Sequence, residues 1–266
     1  MPTMRPSLEV LFTPAEFMAL AGRDLTETVC VVFDIFRATS TIITALANGA
    51  EAIIPVAEIP AALGIHNLEP ETLLAGERDG LRIRANLTAG VDFNLGNSPR
   101  EFTTARVRGK TIVLSTTNGS RALRACARAQ AVFAASFLNL RATASWFERH
   151  PAPHLILVCS GTGEQAAYED ILGSGAMADL LWPSFDENAI ADSAKVARQI
   201  YQQHSHDLMS AVEHCRNGRR LLTIAELRDD VPWCLQRDIF PLVAEMENGS
   251  IKKIESQPRS LSKEKS

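Results

Sequence analysis

The chain lacks any long hydrophobic run. None of its apolar stretches approaches the ~20 residues that a membrane-spanning helix needs. Its first twelve residues, MPTMRPSLEVLF, also lack the apolar core of a secretory signal peptide. The sequence therefore predicts a protein without a membrane partner.

Paired cysteines are missing as well. The five cysteines are scattered along the chain, and no two of them have CxxC spacing. A disulfide framework or a zinc site normally shows an even, regularly spaced set. The pattern predicts reduced thiols and a cytoplasmic location.

The sequence has no block of basic residues to offset its net charge of −4 at pH 7. This balance argues against non-specific binding to nucleic acid, which depends on clustered Lys and Arg side chains. A small anionic substrate would have to be bound by a few locally placed arginines. The sequence leaves the oligomeric state open, and a homo-oligomer is compatible with it.

Three familiar phosphate-handling motifs are absent. No glycine-rich turn is followed by GK[ST], which excludes a P-loop. Cys159 opens a Cys-Ser-Gly-Thr-Gly-Glu loop, but Gln165 stands where cysteine-dependent phosphatases carry an arginine. Asp34 lacks the second aspartate of haloacid-dehalogenase phosphatases, because Phe36 occupies that position. Phosphate chemistry here would need a different set of groups.

What is present is an alternation of strand-like and helix-like segments. Apolar runs at 29–33, 52–56, 73–76, 111–115, 131–135 and 154–159 alternate with helical patterns. This order predicts an α/β protein, layered α/β/α around a mixed or mainly parallel sheet. We expect one α/β domain over residues 1–254 and a disordered, Ser/Lys-rich tail over 255–266.

The segment 31–50, VVFDIFRATSTIITALANGA, is the most informative. It reads as a buried strand that ends at Asp34, followed by Arg37, a run of hydroxyl side chains and a helix. A carboxylate at a strand end beside a helix N-terminus is typical of sites that bind an anion together with a divalent cation. The alternative is an ordinary helix cap at Thr39 or Ser40, with Asp34 as a turn residue.

Two more strands lead into polar turns. The strand at 111–115 precedes Thr-Thr-Asn-Gly-Ser, and the strand at 154–159 precedes Ser-Gly-Thr-Gly. If all three junctions lie at one sheet edge, they form one anion-binding pocket. The alternative for each is a well-capped surface turn.

Carboxylates and arginines lie close to these turns in the sequence. The strand at 73–76 delivers Glu77 and Arg78 into a predicted loop, and Glu169 and Asp170 follow the glycine-rich turn. An acidic pair on a helix is usually solvated surface, but this pair could also bind a metal ion.

Several segments together resemble one family. The segments that carry this resemblance are, in chain order, DIFRATSTIITALANGA, AGERDG, FNLGNSP, STTNGSRAL, FLN and YEDILGSGA. They resemble the 2-phosphosulfolactate phosphatases from about residue 29 to 181, and weakly on to Asp230 and Asp238. The resemblance implies Mg²⁺-dependent hydrolysis of phosphosulfolactate to sulfolactate and phosphate, in coenzyme M biosynthesis.

The chemistry of phosphomonoester hydrolysis suggests a role for each candidate residue, because it needs charge neutralisation and an oriented water. We predict catalytic roles for Asp34, Arg37 and Glu77, and Mg²⁺ binding by Asp34, Glu169 and Asp170. The predicted substrate-binding residues are Arg78, Asn97, Ser98, Thr116, Thr117, Asn118 and Gly119. Two alternatives stay open: a non-catalytic anion-binding or sensor protein, and a phosphatase of the same fold for another phosphorylated hydroxy acid.

Overall fold

One mixed sheet of ten strands runs through the protein in the computed structural model, which describes residues 6–254. The strands are β1 (Ser7–Leu11), β2 (Thr28–Phe33), β3 (Ala52–Val56), β4 (Leu73–Arg78), β5 (Leu81–Arg82), β6 (Thr111–Ser115), β7 (Ala131–Ala135), β8 (His154–Cys159), β9 (Val243–Glu247) and β10 (Ser250–Ile254). Their order across the sheet is β1-β8-β2-β7-β9-β10-β3-β6-β4-β5. The tail predicted at 255–266 lies outside the described residues.

Helices connect most of these strands. They are α1 (Pro14–Met18), α2 (Ala38–Ala47), α3 (Ile59–Leu68), α4 (Thr104–Val107), α5 (Gly119–Ala125), α6 (Leu140–Arg149), α7 (Tyr168–Leu181), α8 (Asp192–His204), α9 (Leu208–Glu213), α10 (Arg216–Thr223) and α11 (Asp230–Cys234). None of the helices between residues 6 and 254 combines the length and apolar character needed to cross a membrane.

The layers follow from strand β2, whose six residues are all buried. Its alternate side chains enter different hydrophobic clusters, with Val31 and Phe33 in one and Cys30 and Val32 in the other. Successive side chains of a strand point to opposite faces of the sheet, so each face has its own core. Helices α6, α7 and α8 contribute to the first cluster, and α1, α2 and α5 to the second. The prediction of a layered α/β/α fold with a mixed sheet is confirmed.

The sheet consists of two parallel halves of opposite direction. Strands β1, β8, β2 and β7 are parallel to one another, as are β3, β6 and β4. The antiparallel hairpin of β9 and β10 lies between β7 and β3 and joins the halves. The polar junctions after β2 and β6 therefore follow strands of opposite direction and do not share one parallel edge of the sheet. Residues of both junctions nevertheless line one cavity.

Several boundaries differ from expectation. Glu77 and Arg78 lie within β4, where they pair with β5, and not in a loop. The helical pattern over residues 195–215 predicts one helix, but the structure has two there, α8 and α9. The pattern over 121–129 predicts a helix that begins at residue 121, whereas α5 begins at Gly119. The sequence did not predict strands β1, β9 and β10 or helices α10 and α11. Of these, α10 lines the site and α11 carries Asp230, the partner of Arg37.

Candidate active site

Asp34 follows β2 directly and is only 9% exposed. Its Oδ1 atom accepts a hydrogen bond of 3.0 Å from the backbone N–H of Ala38, the first residue of α2. The start of this helix is thus occupied by the carboxylate of Asp34, and not left free for an external anion as the sequence suggested. Within residues 6–254, no group donates a hydrogen bond to the other oxygen, Oδ2.

The surroundings of Asp34 disfavour its charged form. Burial raises the pKa of the carboxyl group from 3.8 to about 7, and the negative charges of Glu77 and Glu169 act in the same direction. The N–H of Ala38 and the positive charge of Arg37 oppose the rise without cancelling it. A cation bound beside Asp34 would stabilise its ionised form.

The hydroxyl run after Asp34 stabilises the turn. Thr39 donates to the carbonyl of Asp34, Ser40 donates to the carbonyl of Ile35, and Thr41 donates to the carbonyl of Asn97. The residue that precedes the first helical residue is Arg37, so neither Thr39 nor Ser40 is the cap. These hydroxyls bind the protein backbone and do not face a ligand.

A cavity of about 310 Å³ opens beside Asp34. This volume is at the lower end of the range for small-molecule sites. Seven of the predicted site residues line it: Asp34, Arg37, Glu77, Asn97, Thr116, Thr117 and Asn118. The structure therefore brings most of the predicted set to one place.

Glu77 joins two walls of this cavity. Its Oε1 accepts from the backbone N–H and the hydroxyl of Thr117, both at 2.9 Å. Its Oε2 accepts from the backbone N–H of Gly80 at 2.8 Å. The carboxylate thereby connects the β4–β5 turn with the loop after β6.

Asn118 joins the loops that follow β6 and β8. Its side-chain amide donates to the carbonyls of Ser160 and Gly163, at 3.0 and 2.9 Å. Thr116 shares a hydrogen bond with Ser120 one helical turn later. The polar side chains of the Thr-Thr-Asn-Gly turn thus organise the cavity wall in addition to lining it.

Gly119 lets α5 approach Asp34 closely. A Cβ atom built on Gly119 would lie 2.6 Å from Oδ2 of Asp34 and 2.6 Å from the Cβ of Ala38. Neither distance is compatible with a side chain at this position. The structure therefore gives Gly119 a packing role in place of the predicted substrate-binding role, because this residue does not line the cavity itself.

Replacing Gly119 with alanine should destabilise the protein by about 1–3 kcal/mol, as expected for overpacking. It should also lower activity, because Asp34 or α5 must move. Gly64→Ala in α3 is the matched control, since a Cβ there meets nothing within 4 Å. A Gly-to-Ala change in a helix should stabilise by about 0.5–1 kcal/mol. Urea unfolding of both variants checks this; equal effects would contradict it.

Arg37 belongs to a buried ionic network behind the cavity. Its guanidinium, 3% exposed, donates to Oδ2 of Asp230 at 2.8 Å and to the carbonyl of Gly80 at 2.5 Å. The fully buried Asp230 also accepts from Ser98 at 2.6 Å and from Arg100 at 2.9 Å. The Ser98 hydroxyl, predicted to bind substrate, is thus engaged by Asp230.

Arg78 and Ser98 do not reach the cavity. The guanidinium of Arg78 donates to the backbone carbonyls of Ala57, Glu77 and Ser115 and to the Ser115 hydroxyl. These contacts hold the ends of β4 and β6 together. The geometry therefore does not support the substrate-binding role predicted for Arg78.

Glu169 and Asp170 are buried, contrary to the solvated alternative, but they do not join Asp34 as metal ligands. Asp170 accepts backbone N–H groups of Ile35 at 2.8 Å and Gly161 at 3.0 Å, so it holds the loops after β2 and β8 together. Glu169 binds Asn217 and Cys215 and lines a separate cavity of about 570 Å³. Burial raises the pKa of both carboxyl groups. The described chain contains no cluster of three or more His, Cys, Asp or Glu side chains suited to a metal ion.

Sequence reasoning missed the wall formed by α10 and the β4–β5 turn. Asn217 and Arg220 from α10 line the cavity, together with Asp79 and Gly80. Arg216 positions this helix by donating to the carbonyl of Thr162 at 2.9 Å and to the side chain of Gln165 at 2.7 Å. The only signal in the sequence was three arginines within five residues, a pattern that usually marks solvated surface.

Known proteins resemble this chain over most of its length. A family model described as 2-phosphosulpholactate phosphatase matches residues 17–249. A protein of Caldicellulosiruptor saccharolyticus, named a probable 2-phosphosulfolactate phosphatase, is 33% identical over 92% of this chain and 99% of its own length. Proteins with the same name from Caldanaerobacter subterraneus subsp. tengcongensis and Thermotoga maritima are each 35% identical, over 91% and 82% of this chain and 97% and 89% of their own lengths.

Proposed function

This chain belongs to the 2-phosphosulfolactate phosphatase family, and from that premise we propose that it is a phosphoric monoester hydrolase. Its proposed substrate is 2-phospho-3-sulfolactate, which it converts to 3-sulfolactate and phosphate. Membership also supports a place in coenzyme M biosynthesis. Five free cysteine thiols support a cytoplasmic location.

The arrangement around Asp34 carries this proposal. A buried carboxylate with one unengaged oxygen faces a small cavity that is also lined by Arg37 and Arg220. Phosphate transfer to water depends mainly on positioning and on neutralising charge on the transferring group. The cavity supplies both signs of charge at short range, as this chemistry requires.

The residues present fit a magnesium ion. Mg²⁺ prefers oxygen ligands and is usually held by one or two carboxylates together with substrate phosphate and water. Asp34 would be the principal ligand through Oδ2, and Glu77 is the second carboxylate of the buried cavity wall. When bound, the ion would neutralise charge on the phosphate and lower the pKa of a coordinated water.

The chain's own residues have separate tasks in this scheme. Glu77 fixes the two loops around the reacting group through its bonds to Thr117 and Gly80. Arg37, held by Asp230 and the Gly80 carbonyl, keeps further N–H donors of its guanidinium for substrate oxygens. Leu221 and Ile224 form an apolar part of the wall and limit access of bulk water.

Phosphate release from 2-phosphosulfolactate should require a divalent cation. We expect excess EDTA to abolish turnover and added Mg²⁺ to restore it, because the phosphate would otherwise lie beside the carboxylates of Asp34 and Glu77 without a cation between them. Na⁺ at matched ionic strength is the control and should restore nothing.

Full turnover in excess EDTA would contradict the metal assignment. Tight binding of the substrate without turnover would favour the sensor alternative. Faster hydrolysis of another phosphorylated hydroxy acid, such as 2-phospholactate, would keep the chemistry and change the substrate.

A further inference from the structure

Two guanidinium groups meet at one end of the cavity. A Cβ built on Gly80 would lie 3.8 Å from a terminal nitrogen of Arg220 and 3.9 Å from a terminal nitrogen of Arg37. Gly80 lies in the β4–β5 turn with a φ of 76°. Both arginines line the cavity, although they come from α10 and from the residue before α2.

The charges of these two arginines are balanced differently. Arg37 is buried and forms an ion pair with Asp230 at 2.8 Å. Arg220 is exposed, and its guanidinium donates to the backbone carbonyl of Asp79, which is neutral. In the part of the chain that the structure describes, no carboxylate forms an ion pair with Arg220. Its positive charge is therefore available to a ligand in the cavity.

The proposed substrate carries more anionic groups than one site can bind. Besides phosphate, 2-phosphosulfolactate has a sulfonate and a carboxylate. The phosphate must lie near Asp34, where the reaction takes place. One of the other two groups then extends toward a different part of the wall, and Arg220 is the cation there that no protein carboxylate neutralises.

We propose that Arg220 is a specificity-determining residue that binds the second anionic group of the substrate, the sulfonate or the carboxylate, with Arg37 beside it. This inference rests on the proposed function for the identity of the substrate. A guanidinium binds sulfonate and carboxylate oxygens through parallel N–H donors, which gives both affinity and orientation. Arg216 holds α10 against the loop after β8, so Arg220 is presented from a positioned helix.

The test compares Arg220→Ala with Arg219→Ala. Arg219 is the exposed neighbour on α10 and does not line the cavity, so its removal changes the net charge equally. Three substrates are assayed: 2-phosphosulfolactate, 2-phospholactate, which lacks the sulfonate, and phosphorylated isethionate, which lacks the carboxylate. Circular dichroism verifies that both variants fold.

We expect Arg220→Ala to lower kcat/KM for 2-phosphosulfolactate by roughly tenfold to a hundredfold, mainly through KM. For the substrate that lacks the group bound by Arg220, kcat/KM should fall little. Comparing 2-phospholactate with phosphorylated isethionate therefore shows whether Arg220 binds the sulfonate or the carboxylate. Arg220→Lys should restore only part of the loss, because it keeps the charge without the planar fork. Arg219→Ala should resemble the unmodified protein.

Equal losses on all three substrates, or an equal loss in Arg219→Ala, would overturn the assignment while leaving the proposed function intact. Binding of 3-sulfolactate and lactate, measured by calorimetry, separates the two ideas further. If the unmodified protein hydrolyses none of the substrates but binds 3-sulfolactate in an Arg220-dependent way, the recognition site stands and the phosphatase proposal fails. Binding of 3-sulfolactate that Arg220→Ala leaves unchanged overturns the recognition site.

Discussion

Asp34→Asn should lower kcat for 2-phosphosulfolactate by roughly a hundredfold or more, because it removes a charge needed at the reacting group. High Mg²⁺ concentration should restore part of the loss. The amide oxygen can still accept the N–H of Ala38, so α2 should keep its start. Steady-state kinetics over a range of Mg²⁺ concentrations measures both effects.

The same substitution should stabilise the unliganded protein at neutral and alkaline pH. The folded-state pKa of Asp34 is raised from 3.8 to about 7, so the folded protein holds a proton that the unfolded chain has released. Stability therefore falls as pH rises from about 4 to about 7. Asparagine removes this loss, with a gain that grows over that interval to at most about 4 kcal/mol, since one pKa unit corresponds to about 1.4 kcal/mol.

Urea unfolding at pH 5 and pH 8 checks the predicted gain in stability. Asp192→Asn, at the exposed start of α8, is the matched control and should show no growing gain. A variant that is less stable than the parent at pH 8, or one with unchanged kcat and metal requirement, would make Asp34 a structural turn residue.

Asp230→Asn should destabilise the protein by about 3–5 kcal/mol, the usual cost of leaving a buried charge without its partner. Arg37 is 3% exposed, and Asp230 is its only carboxylate partner among residues 6–254. The loss should also reduce kcat/KM, because the guanidinium of Arg37 loses its fixed orientation beside the cavity. Thermal and urea unfolding, together with phosphate release, measure the two effects.

Asp229→Asn, at the preceding position, is the matched control. Its side chain is 65% exposed and lies 3.4 Å from Arg100. Exposed pairs of this kind contribute about 0–1 kcal/mol, so the variant should be close to the parent. Adding Arg37→Met to Asp230→Asn should recover part of the stability and none of the activity. Similar stability of the two Asp→Asn variants would show that the buried pair is not what holds Arg37.

The sequence was informative where a local pattern decides the structure. The strand over 29–33 and the carboxylate after it were predictable, because an uninterrupted apolar run is suited to a strand buried on both faces. The capping box of Thr13 and Glu16 was also predictable from the sequence, because its two partners lie within one helical turn. Most of the residues around the cavity could be placed from such junctions.

The remaining features depend on distant partners. The hydroxyls of Thr39 and Ser40 could have faced a ligand, and only the folded turn shows that they bind backbone carbonyls. Glu169 is buried because Asn217 and Cys215, far along the chain, supply its hydrogen bonds. From the sequence alone, Arg220 resembles any solvated arginine. Only the structure shows that α10 packs against the β4–β5 turn and brings Arg220 to the cavity. Local periodicity carries no information on such pairings.

The hairpin of β9 and β10 has a consequence for the order in which the protein is made. Within the described sheet it is the only connection between the two parallel halves, and it comes from residues 243–254. Residues 243–254 are synthesised after every residue that lines the cavity. Each half can form its own strands earlier, but the continuous sheet between the strands that carry Asp34 and Glu77 is completed only after residues 243–254 have been synthesised. Nascent chains stalled before residue 243 should therefore contain both halves and bind no substrate.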